Sequence, residues 1–201
     1  AAVFRLLALD VDGILTDGLI CFSSSGDGPK AFNIKDGLGI KLIQKVGVRV
    51  AIITGRQSDI VARRARELGI EDVVQGRDDK RQALLEVCQR HNISMEECAY
   101  MGDDLPDLGA IIAAGLGMTV ADASAAVREA ADWRSRYNGG CGAVREACEF
   151  ILSAKGEWSA LAADFATGVR PGSITPLAEI LRQNTAAVIE PSRSSDTGSA
   201  R

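Results

Sequence analysis

Short apolar runs alternate with helical stretches along most of this chain, and that alternation restricts the fold more than any other feature. The runs at 6–10, 48–54, 72–75, 98–101 and 116–120 read as strands. The stretches at 37–46, 59–68, 80–90 and 105–113 read as helices between them. Strand, helix, strand in repetition predicts an α/β domain: a Rossmann-like parallel sheet with helices on both faces. Gly47 and Gly69 stand where helix C-caps belong, and Ser94 with Glu97 has capping-box spacing ahead of the fourth strand. Two later helices are expected at 123–130 and 142–153.

One segment breaks the rhythm. Residues 19–22 and 31–34 are strand-like, and SSSGDGP lies between them, so a β-hairpin is expected over about 18–34. No insertion is large enough for a separate cap domain. The pattern weakens after Gly156. Short helices are expected at 158–165 and 177–181, and the polar end PSRSSDTGSAR is expected to be disordered. The domain reading is therefore 1–155 for the α/β domain and 156–201 for a partly disordered extension.

Composition narrows the partners. The chain has 201 residues, 46% hydrophobic and 25% charged, with a net charge of -4, so a nucleic-acid partner is not expected. No apolar stretch reaches the ~20 residues of a membrane helix, and the first residues lack signal-peptide order, so neither membrane attachment nor secretion is expected. Cys21, Cys88, Cys98, Cys141 and Cys148 include no CxxC pair, which fits reduced thiols in the cytoplasm. His91 is the sole histidine and sits in the polar stretch QRHN, which argues against a Ser-His-Asp mechanism.

Four motifs carry chemistry, and each falls at the carboxyl end of a predicted strand or in the loop after it. Asp10 and Asp12, in DVDG, share a strand face that looks into the crevice where α/β proteins bind ligands. Paired carboxylates there favour a hard cation such as magnesium. Thr54 and Gly55 offer a hydroxyl and an amide to phosphate oxygens. Lys80 opens a helix and can neutralise a transferring phosphoryl group. Gly102, Asp103, Asp104 and then Asp107 add carboxylates at another strand end. Taken singly, each motif has an ordinary structural explanation: an acidic corner, a common turn, a surface lysine, an acidic helix start.

In this order, DVDG, TG, K and GDD resemble the four motifs of the haloacid dehalogenase superfamily. The resemblance implies that Asp10 attacks phosphorus to form an aspartyl phosphate. It implies that Asp12 protonates the leaving alkoxide and then activates water, while Thr54 and Lys80 hold the phosphoryl oxygens. Magnesium would be bound by Asp10, the backbone carbonyl of Asp12 and Asp103, with Asp104 in support. An acid at Asp12 must have its pKa tuned upward from the ordinary ~4.

A closer resemblance runs through DVDGILTDGLI, KAFNIKDGLGI, AIITGRQS, QGRDDK, AYMGDDLPDL and NGGCGAVREAC. These segments are similar to those of the capless 3-deoxy-D-manno-octulosonate 8-phosphate phosphatases, enzymes of lipopolysaccharide precursor synthesis. That family implies a homotetramer whose substrate is an anionic eight-carbon sugar acid phosphate. Asn33, Ile34, Lys35, Asp36 and Gly37 would border the substrate, and Lys41, Arg56 and Arg64 would supply basic groups around it, with Asp36, Lys41 and Arg64 near a subunit boundary. Cys141 stands where the family often has arginine, and Lys35 and Lys41 replace arginines common in relatives. These departures bear on the sugar more than on hydrolysis. Other readings share parts of the pattern: a phosphatase for a nine-carbon keto sugar acid phosphate, a non-catalytic tetramerising module, or a phospho-acceptor receiver domain. Arg56 after TG favours the first family over the nine-carbon relatives. The intact acidic motifs count against the module, and the N-terminal DxD counts against the receiver.

Overall fold

The computed structural model describes residues 4–23 and 26–167. The chain divides into two compact units, Ala1–Lys155 and Gly156–Arg201. In the first, strands β1 (Leu6–Leu9), β4 (Arg49–Thr54), β5 (Asp72–Gln75), β6 (Cys98–Met101), β7 (Leu116–Thr119) and β8 (Trp133–Arg134) form one sheet in the order β5-β4-β1-β6-β7-β8. Every pairing in it is parallel. The sequence LLAL of β1 does not alternate because both of its faces are covered, and all four residues are buried.

The helices are α1 (Ile34–Lys45), α2 (Asp59–Leu68), α3 (Lys80–Arg90), α4 (Leu108–Ala113), α5 (Ala125–Ala130) and α6 (Ala143–Ala154). Parallel crossovers are right-handed, so α1 and α2, which run outward from β1 to β5, lie on one face. The return from β5 to β6 puts α3, and then α4 and α5, on the other. The packing agrees, because α1 lies against α6 while α3 and α5 both contact α4. Chain direction reverses around β1, which has β4 on one side and β6 on the other. The loops after these three strands therefore open onto one crevice, the place where such sheets bind ligands.

The second unit is represented among the described residues by α7 (Trp158–Thr167), close to the helix expected at 158–165. The helix expected at 177–181 and the polar end lie outside the described residues.

Several local expectations change. The strand β5, the strand β6 and the helices α2 and α3 have the expected bounds. The helix expected at 105–113 begins instead as a short 3-10 turn, Leu105–Asp107, before α4. Strand β8 was not anticipated, since two residues carry no periodicity. The hairpin is present but displaced. Its strands are β2 (Phe22–Ser23) and β3 (Gly26–Asp27), paired antiparallel as Phe22↔Asp27 and Ser23↔Gly26. Residues that read as turn form the second strand, and Pro29, lacking an N–H, cannot extend the ladder toward 31–34. Those residues lead into α1 instead. The Asn33 side chain accepts the Lys35 N–H at 2.8 Å, an N-cap that starts the helix three residues earlier than its apolar pattern indicates.

Candidate active site

The sheet order brings the four motifs together. Asp10 follows β1, Thr54 ends β4, Asp103 follows β6, and Lys80 opens α3. Lys80 Nζ lies 3.0 Å from Asp10 Oδ2 and 2.7 Å from Asp107 Oδ1, and all three side chains are buried. Asp107 organises this group. Its Oδ1 also accepts the Tyr100 hydroxyl at 2.6 Å, and its Oδ2 accepts the backbone N–H groups of Asp103 and Asp104 at 3.2 and 3.3 Å. Burial among carboxylates raises the Tyr100 pKa well above its ordinary value, so the hydroxyl stays a donor.

Asp10, Asp103 and Asp107 can each present an oxygen within 4.8 Å of the others. Three carboxylates around one ammonium leave an excess of negative charge in a place of low water access. Burial first, and then repulsion from Asp107, pushes Asp10 up to about 7 against the pull of Lys80. Burial, Asp10 and Asp107 do the same to Asp103, also to about 7. Burial alone would lower the Lys80 pKa, but Asp10 and Asp107 more than offset that and raise it. A divalent cation would remove the repulsion. With Asp107 already engaged by four donors, Asp10 and Asp103 have the free oxygen capacity, and an all-oxygen set suits magnesium.

Two glycines make the approach possible. A Cβ on Gly13, whose φ is +87°, would stand 2.2 Å from Asp103 Oδ2, and one on Gly102 would stand 2.3 Å from the Asp107 side chain.

The other expected site residues separate into groups. The Asp12 carboxylate stands outside the metal cluster, where it ion-pairs with Lys30. Thr54 is buried, and its hydroxyl oxygen accepts the Arg56 N–H at 3.4 Å. Gly55 lets Asp78 approach, since a Cβ there would meet Asp78 Oδ1 at 2.8 Å. Ile34, Lys35, Lys41 and Arg56 are exposed. Arg64 crosses Gly37, lies over the Phe32 ring with 5.8 Å to the centroid, and pairs with Glu67 at 3.4 Å.

Asp36, expected to border the substrate, has a partner within the fold. It is buried, and its Oδ1 accepts the Arg145 N–H at 2.7 Å, so it caps the first turn of α6 from α1. Burial raises its pKa, against backbone hydrogen bonds from Arg145 and Gly142. Asn33 similarly ties α1 to the glycine loop ahead of α6, donating from Nδ2 to Gly140 O at 3.2 Å.

Comparison with known proteins accords with this geometry. Residues 65–147 match the profile of haloacid dehalogenase-like hydrolases. The 3-deoxy-D-manno-octulosonate 8-phosphate phosphatase of Escherichia coli (strain K12) is 44% identical over 153 residues, 76% of this chain and 81% of that protein. The chain belongs to the 3-deoxy-D-manno-octulosonate 8-phosphate phosphatase family. A Moraxella catarrhalis member crystallised with magnesium, phosphate and KDO superposes with a TM-score of 0.80 at 46% identity, covering 82% of this chain and 94% of that one. A cobalt-bound Haemophilus influenzae member gives 0.79 at 37% identity, covering 82% and 97%. Within this phosphatase family frame, sequence reasoning gave no role to Lys30 or Tyr100 and treated Asp107 only as an added carboxylate. Asp107 lies four residues beyond Asp103 and could have been suspected as a helix-start acid that turns back on the loop. Lys30 had no local signal.

Proposed function

We propose that this chain hydrolyses 3-deoxy-D-manno-octulosonate 8-phosphate to the free sugar acid and phosphate, using magnesium, as a step in lipopolysaccharide precursor synthesis. The observation that carries the reading is the cluster of buried Asp10, Lys80 and Asp107 with half-buried Asp103 at the carboxyl ends of the strands, in a chain so similar to phosphatases of that substrate. Residues 1–155 are the catalytic domain in this reading.

Phosphoryl transfer needs in-line positioning and neutralised charge more than covalent help from many groups. Asp10 Oδ attacks phosphorus as the ester oxygen leaves. Asp12 delivers a proton to that alkoxide, then takes one from the water that opens the aspartyl phosphate. The Thr54 hydroxyl and the Gly55 amide direct donors at the phosphoryl oxygens, and the Lys80 ammonium balances their charge. Magnesium, held by Asp10, Asp103 and the Asp12 carbonyl, supplies Lewis-acid charge neutralisation when bound. Lys35, Lys41, Arg56 and Arg64 provide cationic surroundings for a sugar carboxylate, and Asn33, Ile34 and Gly37 border the sugar.

The functional form is a homotetramer, and the place of action is the cytoplasm. Leu19, Ile20 and Phe22 on the hairpin arm, and Ile34 and Leu38 one turn apart on α1, are exposed apolar residues that a neighbouring subunit would cover. All five cysteines are free thiols, as a reducing compartment allows. No described helix is long and apolar enough to cross a membrane.

The test is phosphate release from a panel of sugar phosphates with and without magnesium. Preference for the eight-carbon sugar acid phosphate, dependent on the metal, is the expected result. Equal turnover of a nine-carbon sugar acid phosphate would redirect the substrate assignment. Sedimentation showing a fully active monomer would overturn the tetramer.

A further inference from the structure

The Lys30 ammonium, only 11% exposed, forms an ion pair with Oδ1 of Asp12. Lys30 comes from the hairpin segment, eighteen positions away in sequence, and the chain pins that segment on both sides of it. Before Lys30, the Gly28 N–H donates to Cys21 O at 2.7 Å, closing the base of the hairpin. This closure depends on glycine, because a Cβ at position 28 would stand 2.5 Å from Cys21 O. After Lys30, Phe32 packs against the core beneath Arg64, and the Asn33 side chain caps α1 and bonds to Gly140. Lys30 is thus held between two anchored points with its amine at the carboxylate that manages the proton.

We propose that Lys30 is a positioning residue for Asp12: by engaging Oδ1 it fixes the plane of the carboxyl group and leaves Oδ2 as the oxygen that meets the leaving alkoxide and the attacking water. A carboxyl group on a two-torsion side chain, 24% exposed, samples several orientations unless one oxygen is tied. Small losses of alignment at a proton-transferring group cost large factors in rate. The hairpin arm therefore reaches the chemistry directly through one amine, besides whatever it does at the surface. This inference rests on the phosphatase reading and on the acid–base role of Asp12.

The test compares Lys30→Met and Lys30→Arg with the parent enzyme on three substrates: the sugar acid phosphate, an alkyl phosphate without a carboxylate such as glycerol phosphate, and p-nitrophenyl phosphate, whose leaving group needs little protonation. kcat/KM reports the steps up to departure of that group. Lys30→Met should lower it at least tenfold on both alkyl esters and less than threefold on the aryl ester. The loss should appear mainly in kcat, and Lys30→Arg should recover most of it. Equal losses on all three would mean a structural role only. A loss confined to the sugar acid would mean direct contact with its carboxylate. No loss on any would remove Lys30 from the chemistry. Each of these overturns the proposal. Asp12→Asn, run in parallel, separates the two layers: if it hydrolyses the alkyl esters normally, the acid–base reading itself fails, whatever Lys30→Met does.

Discussion

Helix α3 has a buried aspartate ion pair at each end, and the two are built on opposite principles. At its carboxyl end, Asp72 at the start of β5 meets Arg90 Nη1 at 2.7 Å and His91 Nε2 at 2.7 Å. One carboxylate has two partners there, and the basic groups sit where the helix dipole favours them. At the amino end, Lys80 faces Asp10 and Asp107, with Asp103 close by. A cation occupies the positive end of the dipole, and the carboxylates outnumber it. The first cluster is satisfied by the protein alone. The second is complete only when metal and phosphate arrive. An ion pair that locks the scaffold and one that performs chemistry share residue types, and the balance of charge separates them.

Four measurements can break or sharpen that contrast. The largest effect is expected from Asp10→Asn, which removes the proposed nucleophile: turnover should fall by at least ~10³-fold. The thermal midpoint should hold or rise, because a crowded buried charge becomes a neutral amide. A parallel collapse of stability would make Asp10 a structural residue like Asp72. Exhaustive chelation should reduce activity at least ~10²-fold, with recovery on adding magnesium, since charge neutralisation is a major part of phosphoryl transfer. Full activity in the chelated protein would contradict the oxygen-ligand site.

Asp72→Asn should do the reverse of the first substitution. A cost of about 1–3 kcal/mol in unfolding free energy is expected from weakening a buried charge-assisted network, with turnover within about twofold of the parent. Denaturant titration and a standard phosphate assay read both halves. The smallest effect is a pH dependence. In metal-free protein, Asp10 and Asp103 have folded pKa values of about 7 against an ordinary 3.8. Their contribution to stability is present below pH 3.8 and is lost as pH rises through 7, because the folded state then holds protons that the unfolded state has released. The chelated protein should melt a few degrees lower at pH 8 than at pH 5.5, and magnesium should raise the midpoint most at pH 8. A flat profile by scanning fluorimetry would mean that these carboxylates are not crowded.

The sequence made the sheet legible where burial produced pattern. LLAL, RVAIIT and CAYM declare themselves because continuous apolar runs of that length suit buried parallel strands. It also marked Asp10, Thr54 and Asp103, since each closes or follows an apolar run, and Lys80, which opens a helix after the polar loop QGRDD. What it hid depends on partners far along the chain. Asp36 reads as a residue bordering the substrate, just ahead of a helix, and its hydrogen-bond partner is the Arg145 amide, 109 positions away. Lys30 reads as a charge after a turn, and its role depends on how the hairpin closes. Local periodicity carries no information about either. The hairpin register failed for a related reason: turn-forming residues and strand residues overlap in SSSGDGP, and Pro29 decided which pairing could continue.

The glycine loop ahead of α6 has a consequence for how this molecule is made. Gly139 sits so close to the DVDG turn that a Cβ would lie 1.8 Å from Gly13 O, and Gly140 N–H donates to Ile14 O at 2.9 Å. The turn bearing Asp12 is therefore clamped by residues translated more than a hundred codons later. A ribosome-bound chain that has already released β1, β4 and β6 lacks that clamp until the segment through Gly140 has emerged. A translation product truncated before this segment would carry Asp10 and Asp12 without the contacts that hold their turn.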